Sequence, residues 1–448
     1  MRALIVAYYF PPKGGAGTQR FAKFCKYLPA HGVTPVVLTA GLAATSEFAP
    51  HDDATLAIGS ETEVVRVEAP PRIPFGLRWR RRLRFHIDDD AWALAATERA
   101  VRLAQQQRPD VVVTTLSPYA CYRVGERLQR EFGIPWVVDL RDPWSLDGWR
   151  VYPTPIHAAA DLWHLRRALT GAAAVIANVP AARDAFVQLG ADPLRTVVIP
   201  NGFDDEDFAD LPPSPRTEGS FQLAHIGTLH GVDVPEGLTA ARFRRVRHRE
   251  IAPLGRTGHY LLHAVAAWRQ RPEWRGRGLR VNLYGQVDAS HRGLIERLGL
   301  GDLVALHGYV EHRASIRAAA GADALFVPLH GIPAGERALV VPGKLYEALA
   351  SERPVLAALP PGDGADLVTA LQAGVVTSPT DTGALARAIG EMVVQHAAGR
   401  PLPGCSRRQL QPFTRRALTA QLAAVLQAVV GGQTVPAIDP FRRVVPGH

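Results

Sequence analysis

The 448 residues exceed what one ordinary hydrophobic core organises, so two domains of about 200 residues each are expected. Apolar residues make up 47% and charged residues 21%, with no polar low-complexity tract before the C-terminus, which excludes wholesale disorder. The formal charge of +9 implies affinity for something anionic, whether nucleotide phosphates, lipid head groups or nucleic acid, without choosing among them.

Cys25, Cys121 and Cys405 are far apart, odd in number and without metal-ligand spacing, as in a reducing compartment. The apolar run near Met1 is too short for a signal peptide and reads as a buried first strand. No uninterrupted apolar stretch approaches the roughly 20 residues that cross a bilayer. A cytoplasmic protein is expected, in solution or at the inner face of the membrane.

In chain order, strands are predicted over Ala3–Tyr8, Thr34–Leu38, Val111–Thr115, Pro135–Asp139, Ala174–Ala177 and Thr196–Ile199. Helical spacing occupies Gln19–His31, Ala91–Gln107 and Pro118–Phe132 between them. Pro200–Ser220, rich in Asp, Pro and Gly, breaks the periodicity and reads as a linker.

A second series follows, with strands at Phe221–Ile226, Arg280–Tyr284, Leu303–His307, Ala324–Pro328, Pro354–Ala358 and Gly374–Thr377. Helices are predicted at Tyr260–Gln270, Arg292–Leu298, Arg313–Ala319, Lys344–Ala350 and Asp381–His396. Strands alternating with helices form doubly wound parallel sheets, so the fold class is α/β with two Rossmann-like domains. Their ligands belong in an interdomain cleft, at the carboxyl ends of the strands. The domain boundaries read as 1–205 and 206–412, with a last helix near 413–430 packing back across the domains and a loose tail over 431–448.

Several segments carry chemical meaning. Phe10 to Gly17 follows a strand and precedes a helix, and its glycines admit a close ligand, yet Gly14, Gly15 and Gly17 reproduce neither G-x-G-x-x-G nor a P-loop. Arg78 to Phe85 interleaves cations with aromatics, as a solvated basic face or a peripheral contact with anionic membrane would. Asp139-Leu-Arg-Asp-Pro-Trp144 places Asp139, Arg141 and Asp142 past a buried strand, to orient sugar hydroxyls or to form a local salt bridge with a cap. Pro342-Gly-Lys-Leu-Tyr-Glu347 opens a helix whose unpaired N–H groups suit a diphosphate, with Lys344 adding a full charge and Glu347 within reach of ribose hydroxyls. An ordinary helix start reads the same way.

The sixteen histidines form no H-E-x-x-H motif, and Asp88–Asp90 precedes a helix rather than closing a strand-end D-x-D, so no metal site is predicted. No G-x-S-x-G elbow supports serine hydrolase chemistry.

Taken in order, these segments resemble the family-4 retaining glycosyltransferases of the GT-B fold. Tyr9 to Gly15 is similar to the family's first loop, Val138 to Trp144 to its mid-domain signature, and Ile199 to Phe203 to its domain junction. His225-Ile-Gly-Thr-Leu229, Leu283-Tyr-Gly285, His307 to Val310 and Pro342 to Glu347 resemble its donor domain. The resemblance implies sugar transfer from a UDP- or GDP-linked donor with retention, by front-face substitution, with no cofactor and no required metal.

It implies donor contacts from Gly14, Gly15, Gly227, Thr228, Val310, Pro342, Glu336 and Glu347, and catalytic charges from Lys344, Arg256 and Asp142. Asp139, Arg141 and Tyr119 fall on the acceptor side. The acceptor is a lipid-linked saccharide or a small molecule, and no nucleic acid partner is expected.

The chain departs from the family in three places. Leu339 stands eight before Glu347, where the family has a glutamate, with Glu336 eleven before it, and the family's histidine near Ser117-Pro118 is missing. After Leu229 the family supplies a glycine-arginine pair, which Gly255-Arg256 fits better than Gly231-Val232, making residues 231–254 an Arg-rich insertion, as a mobile flap or an acceptor contact. The rivals are a GT-B sugar-nucleotide epimerase and a non-catalytic nucleotide-binding protein.

Overall fold

A computed structural model describes residues 1–12, 16–42, 58–59, 61–70, 75–83, 85, 88–209, 219–232, 246–272, 277–287 and 289–447. The chain divides into two units. The first contains Met1–Asn201, residues 246–249 and Arg415–Pro440, and the second Gly202–Leu229 onward, Glu250–Thr414 and the residues from Phe441.

The first unit is built on seven strands, β1 (Arg2–Val6), β2 (Thr34–Ala40), β3 (Glu63–Val67), β4 (Val111–Leu116), β5 (Trp136–Leu140), β6 (Ala174–Ala177) and β7 (Thr196–Val198). All pair in parallel, in the order β3-β2-β1-β4-β5-β6-β7. Its helices are α1 (Ala16–Tyr27), α2 (Phe75–Arg82), α3 (Asp90–Gln106), α4 (Tyr122–Phe132), α5 (Pro155–Gly171) and α6 (Pro180–Gln188). Valine-rich runs such as Val111–Val113 are buried on both faces, as strands covered by helices on each side must be.

The sequence reading omits β3, α2, α5 and α6. In α5, alanine occupies the buried face at Ala158 and Ala168 and the exposed face at Ala159, so the apolar period is blurred.

The second unit has six parallel strands, β8 (Ser220–Ile226), β9 (Gly278–Tyr284), β10 (Val304–Gly308), β11 (Ala324–Pro328), β12 (Val355–Ala358) and β13 (Gly374–Thr377), in the order β10-β9-β8-β11-β12-β13. Around them lie α7 (His259–Gln270), α8 (Ala289–Arg297), α9 (His312–Gly321), α10 (Gly343–Ala350), α11 (Asp363–Ala370) and α12 (Thr382–Ala397). In both sheets the strand order reverses next to the first strand, and a crevice for ligand opens at the carboxyl edge beside such a switch point.

The last helix, α13 (Arg415–Val430), belongs to the first unit, where Leu418, Leu422, Val425 and Leu426 share a core with Phe21 and Phe24 of α1. The expected loose tail is instead built in. Val198 N–H donates to the Ile438 carbonyl at 2.9 Å, Val435 is buried, and in the second unit Phe441 is buried against Phe413. Isolated apolar residues after Gly431-Gly432 carry no periodic signal, yet Val435, Phe441 and Val445 are buried. The described end of the expected insertion is likewise anchored rather than a free flap. Val246 exchanges backbone hydrogen bonds with Tyr152 at 2.8 and 2.9 Å, and Arg247 donates to the Gly148 carbonyl. Arg242, Arg244 and Arg245 lie outside the described residues. No helix among the described residues is long and apolar enough to cross a membrane.

Asp139, expected to meet an acceptor, is buried and fully engaged. Arg20 of α1 grips it at 2.6 and 3.3 Å, Thr115 donates to it at 2.9 Å, and the same guanidinium donates to the carbonyls of Ile199 and Pro200 at 2.8 and 2.7 Å. Both side chains are 1% exposed, so the pair ties α1, β4, β5 and the end of β7 together without meeting solvent. Asp139→Ala would leave a buried uncompensated guanidinium, and it is expected to lower stability by about 3 to 5 kcal/mol in a denaturant melt. A loss under 1 kcal/mol would show that Arg20 finds water instead.

Candidate functional site

The carboxyl edge of the second sheet is shaped by glycine. Gly227 follows β8 with φ +113° and donates to the Tyr284 carbonyl at 2.9 Å, while Gly285 follows β9 with φ +114° and donates to the Gly308 carbonyl at 2.7 Å. A Cβ on Gly285 would sit 2.6 Å from the Gly227 backbone, and one on Gly227 would sit 3.1 Å from the Lys344 ammonium. Only residues without side chains let these strand ends close up and admit the lysine.

Lys344 rises from the first turn of α10, which Pro342 precedes at the cap position. Its Nζ donates to the Thr228 carbonyl at 3.1 Å and to His225 Nε2 at 3.2 Å. His225, fully buried in β8, has its Nδ1 2.9 Å from the Phe326 carbonyl. A carbonyl accepts, so Nδ1 carries the proton and Nε2 offers the lone pair that receives the ammonium. Burial and the neighbouring Lys344 charge push the His225 pKa well below its ordinary value, which keeps this tautomer neutral.

Arg256 ends a short 3-10 turn, Pro253–Arg256, clamped to the end of β11 by the Ala252–Gly331 pair of backbone hydrogen bonds at 2.8 and 3.0 Å. Burial and the Arg256 charge lower the Lys344 pKa to about 7, with Glu347 opposing. Burial, then Arg256 and Lys344, lower His230 to about 4. His230 is bridged to Thr257, so the loops carrying these groups lie side by side. Arg256 thus disfavours the charged forms of both Lys344 and His230, and Lys344 that of His230. The three converge beside the N-terminal end of α10, where backbone N–H groups add positive potential, and an anion placed among them would relieve that repulsion.

Glu347 follows Lys344 by one turn, and the two line a small cavity with Ile226, Ser315, Ile316 and Phe326, about 330 Å³ counting its open mouth. Val310 is half-buried two residues past β10, beyond the Tyr284 and His307 rings stacked 4.1 Å apart. Glu336 sits in the loop before α10 and does not join the residues lining that cavity, whereas its neighbour Arg337 ties the loop to Asp363 and Asp366 at 3.1 and 2.6 Å.

In the first unit the structure separates Asp139 from its sequence neighbours and gathers Arg141, Asp142 and Tyr119. The Arg141 guanidinium occupies the space a side chain at Gly17 would need, lies 5.5 Å from the Tyr9 ring centre, and reaches Asp142 at 3.4 Å. Tyr119 stacks on Trp144 at 4.9 Å with the Arg150 guanidinium 5.0 Å from its ring centre. Burial, then Asp142 and Asp147, raise the Tyr119 pKa well above its ordinary value, so the phenol stays a hydrogen-bond donor. Arg150 also reaches Asp88 at 2.7 Å, and Asp161 accepts from Trp144, Ser145 and Tyr152. Gly14 and Gly15 lie outside the described residues.

Sequence reasoning missed His225, His230 and Arg150. One signal for the site was present: the chain has only four lysines among 51 Lys and Arg, and Lys344 is the sole one beyond residue 26. His259 and His263 form an H-x-x-x-H spacing on α7 that the reading of the sequence overlooked, with ring centres 4.5 Å apart, but no group of three metal-ligating side chains occurs among the described residues.

Two family models match the chain. A glycosyl transferase 4-like domain covers residues 14–202, and a glycosyl transferases group 1 domain covers residues 255–395. No curated protein sequence matches it. Among solved structures, sucrose-phosphate synthase from Thermosynechococcus elongatus is similar with a TM-score of 0.66 at 17% identity, over 97% of this chain and all of that one. HepE of Anabaena in complex with UDP and glucose gives 0.53 at 18% identity, over 99% and 97%. WaaG, a glycosyltransferase involved in lipopolysaccharide biosynthesis, gives 0.55 at 16% identity over the whole of both chains. With a matching domain model for each half and two Rossmann-like units carrying a cationic helix-end site, the chain belongs to the family-4-like glycosyltransferases of the GT-B fold.

Proposed function

We propose that the protein transfers a hexose from a UDP- or GDP-linked donor to a hydroxyl of its acceptor, retaining the anomeric configuration and without a metal ion. The observation that carries this reading is the convergence of Lys344, Arg256 and His230 beside the N-terminal end of α10, with Glu347 one turn along. A nucleoside diphosphate matches each part. Its phosphates meet the two cations and the free N–H groups, and its ribose hydroxyls donate to the Glu347 carboxylate. The complex of HepE with UDP supports a uridine donor. Asp142, Arg141 and Tyr119 are assigned to the acceptor, a lipid-linked saccharide or a small molecule, and the protein works in the cytoplasm.

As the sugar–phosphate bond breaks, negative charge grows on the leaving diphosphate. Lys344 and Arg256 stabilise that charge electrostatically, in the role a divalent ion plays elsewhere. Lys344 has a further property that arginine lacks: with a pKa near 7 it is only partly charged when the site is empty. Arrival of an anion favours its charged form, so Lys344 takes up a proton on binding. No protein nucleophile is invoked: the acceptor hydroxyl attacks from the face the diphosphate leaves and passes its proton to the departing phosphate oxygen.

The titration of Lys344 is the first test. With so few lysines, reductive methylation and NMR resolve each one; Lys344 should titrate near 7, higher in Arg256→Gln and lower in Glu347→Gln. A value above 10 in the unliganded protein would remove the basis for proton uptake. Because the lysine loses charge as pH rises through about 7, UDP affinity should fall from pH 7 to 9, with net proton uptake on binding that Lys344→Arg abolishes.

Donor contacts are tested separately. Glu347→Ala should weaken UDP-sugar binding by about 1.5 to 3 kcal/mol, roughly tenfold to a hundredfold in calorimetry. Lys344→Ala should reduce kcat more than donor affinity. Turnover should persist in EDTA, and loss restored by Mg²⁺ would refute the metal-free mechanism. Consumption of UDP-sugar with no acceptor present would identify an epimerase instead.

A further inference from the structure

Among the described residues ten large hydrophobic side chains are exposed, and five of them, Phe75, Trp79, Leu83, Ile156 and Trp163, lie on two adjoining segments of the first unit. Scattered singly, such residues mean little. Gathered on one face, they mark an interaction surface.

On α2 and the turn after it, Phe75, Trp79 and Leu83 recur every four residues and are 67%, 46% and 57% exposed. They therefore form one stripe of the helix. The Arg78 guanidinium lies 5.7 Å from the Phe75 ring centre and that of Arg82 5.4 Å from Trp79, so ring and cation alternate along it. On α5 the exposed stripe runs through Ile156 at 70%, Ala159 and Trp163 at 55%, with the Arg167 guanidinium 5.3 Å from the Trp163 ring centre. The second stripe repeats the exposed apolar and ring surface of the first, its arginine being ion-paired with Glu126.

The two are clasped together. His157, next to Ile156, has Nε2 2.7 Å from the Leu83 carbonyl and Nδ1 2.7 Å from the Thr154 hydroxyl. With the carbonyl as acceptor, Nε2–H donates and the Thr154 hydroxyl donates to Nδ1. The Phe85 ring stacks on the same imidazole, centres 4.1 Å apart and planes within 18°. These contacts hold the end of the α2 segment beside the start of α5 and leave the aromatic stripe outward.

We propose that α2, its following turn and the outer stripe of α5 form one interfacial face that seats the first unit on an anionic lipid bilayer. Trp and Phe settle at the boundary between head groups and acyl chains, Leu83 and Ile156 enter below them, and the arginines meet lipid phosphates. Charge argues against a second copy as occupant, because two such faces meeting by symmetry would oppose Arg78 and Arg82 to cations. The exposed aliphatic side chains argue against nucleic acid, which rewards stacking rings but has no apolar layer for Ile156 and Leu83. The proposal is independent of the donor chemistry.

The test uses the full chain, sedimented with vesicles of phosphatidylcholine alone or with about one third phosphatidylglycerol. Wild type should sediment with the anionic vesicles, less so as salt rises, since the attraction is screened over about 10 Å at 0.1 M. Each Arg→Ser change at Arg78 and Arg82 should lower partitioning roughly fivefold. Ile156→Ser with Trp163→Ser should also lower it, although these residues lie far along the chain from α2. Trp163→Gln alone replaces the double variant if thermal melts show it unfolded.

Wild type staying in the supernatant overturns the proposal, as does wild-type sedimentation of both sets of variants. An effect of the α2 changes alone overturns the joint face. A dimer or a complex with single-stranded DNA that the α5 variant abolishes, without vesicle binding by wild type, reassigns the face to that partner.

Discussion

A half-buried ammonium group set beside a guanidinium is electrostatically costly, and the second unit is arranged around that placement. Lys344 reaches the strand ends because Gly227 has no side chain, and Gly227 reaches its own position because Gly285 has none either. His225 then accepts from the ammonium only because its other nitrogen is committed to the Phe326 carbonyl. Arg256 opposes the lysine charge from a turn clamped to β11. Each feature would be a defect in a protein selected for stability alone. Together they fit the anion site proposed above, in which the cost of gathering positive charge would be met on folding and recovered on binding a phosphate.

The first unit separates structural charge from exposed charge by burial. Arg20 and Asp139 satisfy each other and two backbone carbonyls in a dry interior, and the pair ties α1 to β5 and to the end of β7. Three residues on, Asp142 is 44% exposed and paired only loosely with Arg141. Two aspartates of one motif therefore serve opposite ends. The first is enclosed by α1, while the second remains open to solvent. The Asp161 cluster, which fixes Trp144, Ser145 and Tyr152, supports the same region from behind.

How much of this was legible beforehand follows from the range of the interactions. Strands such as Val111–Leu116 and Ala324–Pro328 are continuous apolar runs, and burial on both faces makes such runs the signature of a parallel sheet. The helix start at Pro342 and the charges of Lys344 and Glu347 are local facts, readable from a few adjacent residues. The scarcity of lysine pointed to the same spot. Lys344 stands alone beyond residue 26, and unlike arginine a lysine gives up its charge readily when buried.

Pairings across long separations arise only in the folded chain. His225 and Lys344 are 119 residues apart, Arg20 and Asp139 likewise 119, and His157 meets Leu83 across 74. No periodicity or motif encodes such contacts, because they depend on which strand lies next to which and how far each loop reaches. The same holds for burial: composition shows that Asp139 and Asp142 are both acidic, but which one water reaches is set by the helix laid over it. The sequence by itself determined the alternation of strands and helices and the chemical types at the strand ends, through local propensity and apolar pattern. The folded chain decided their protonation, partners and exposure, because those depend on distance and dielectric.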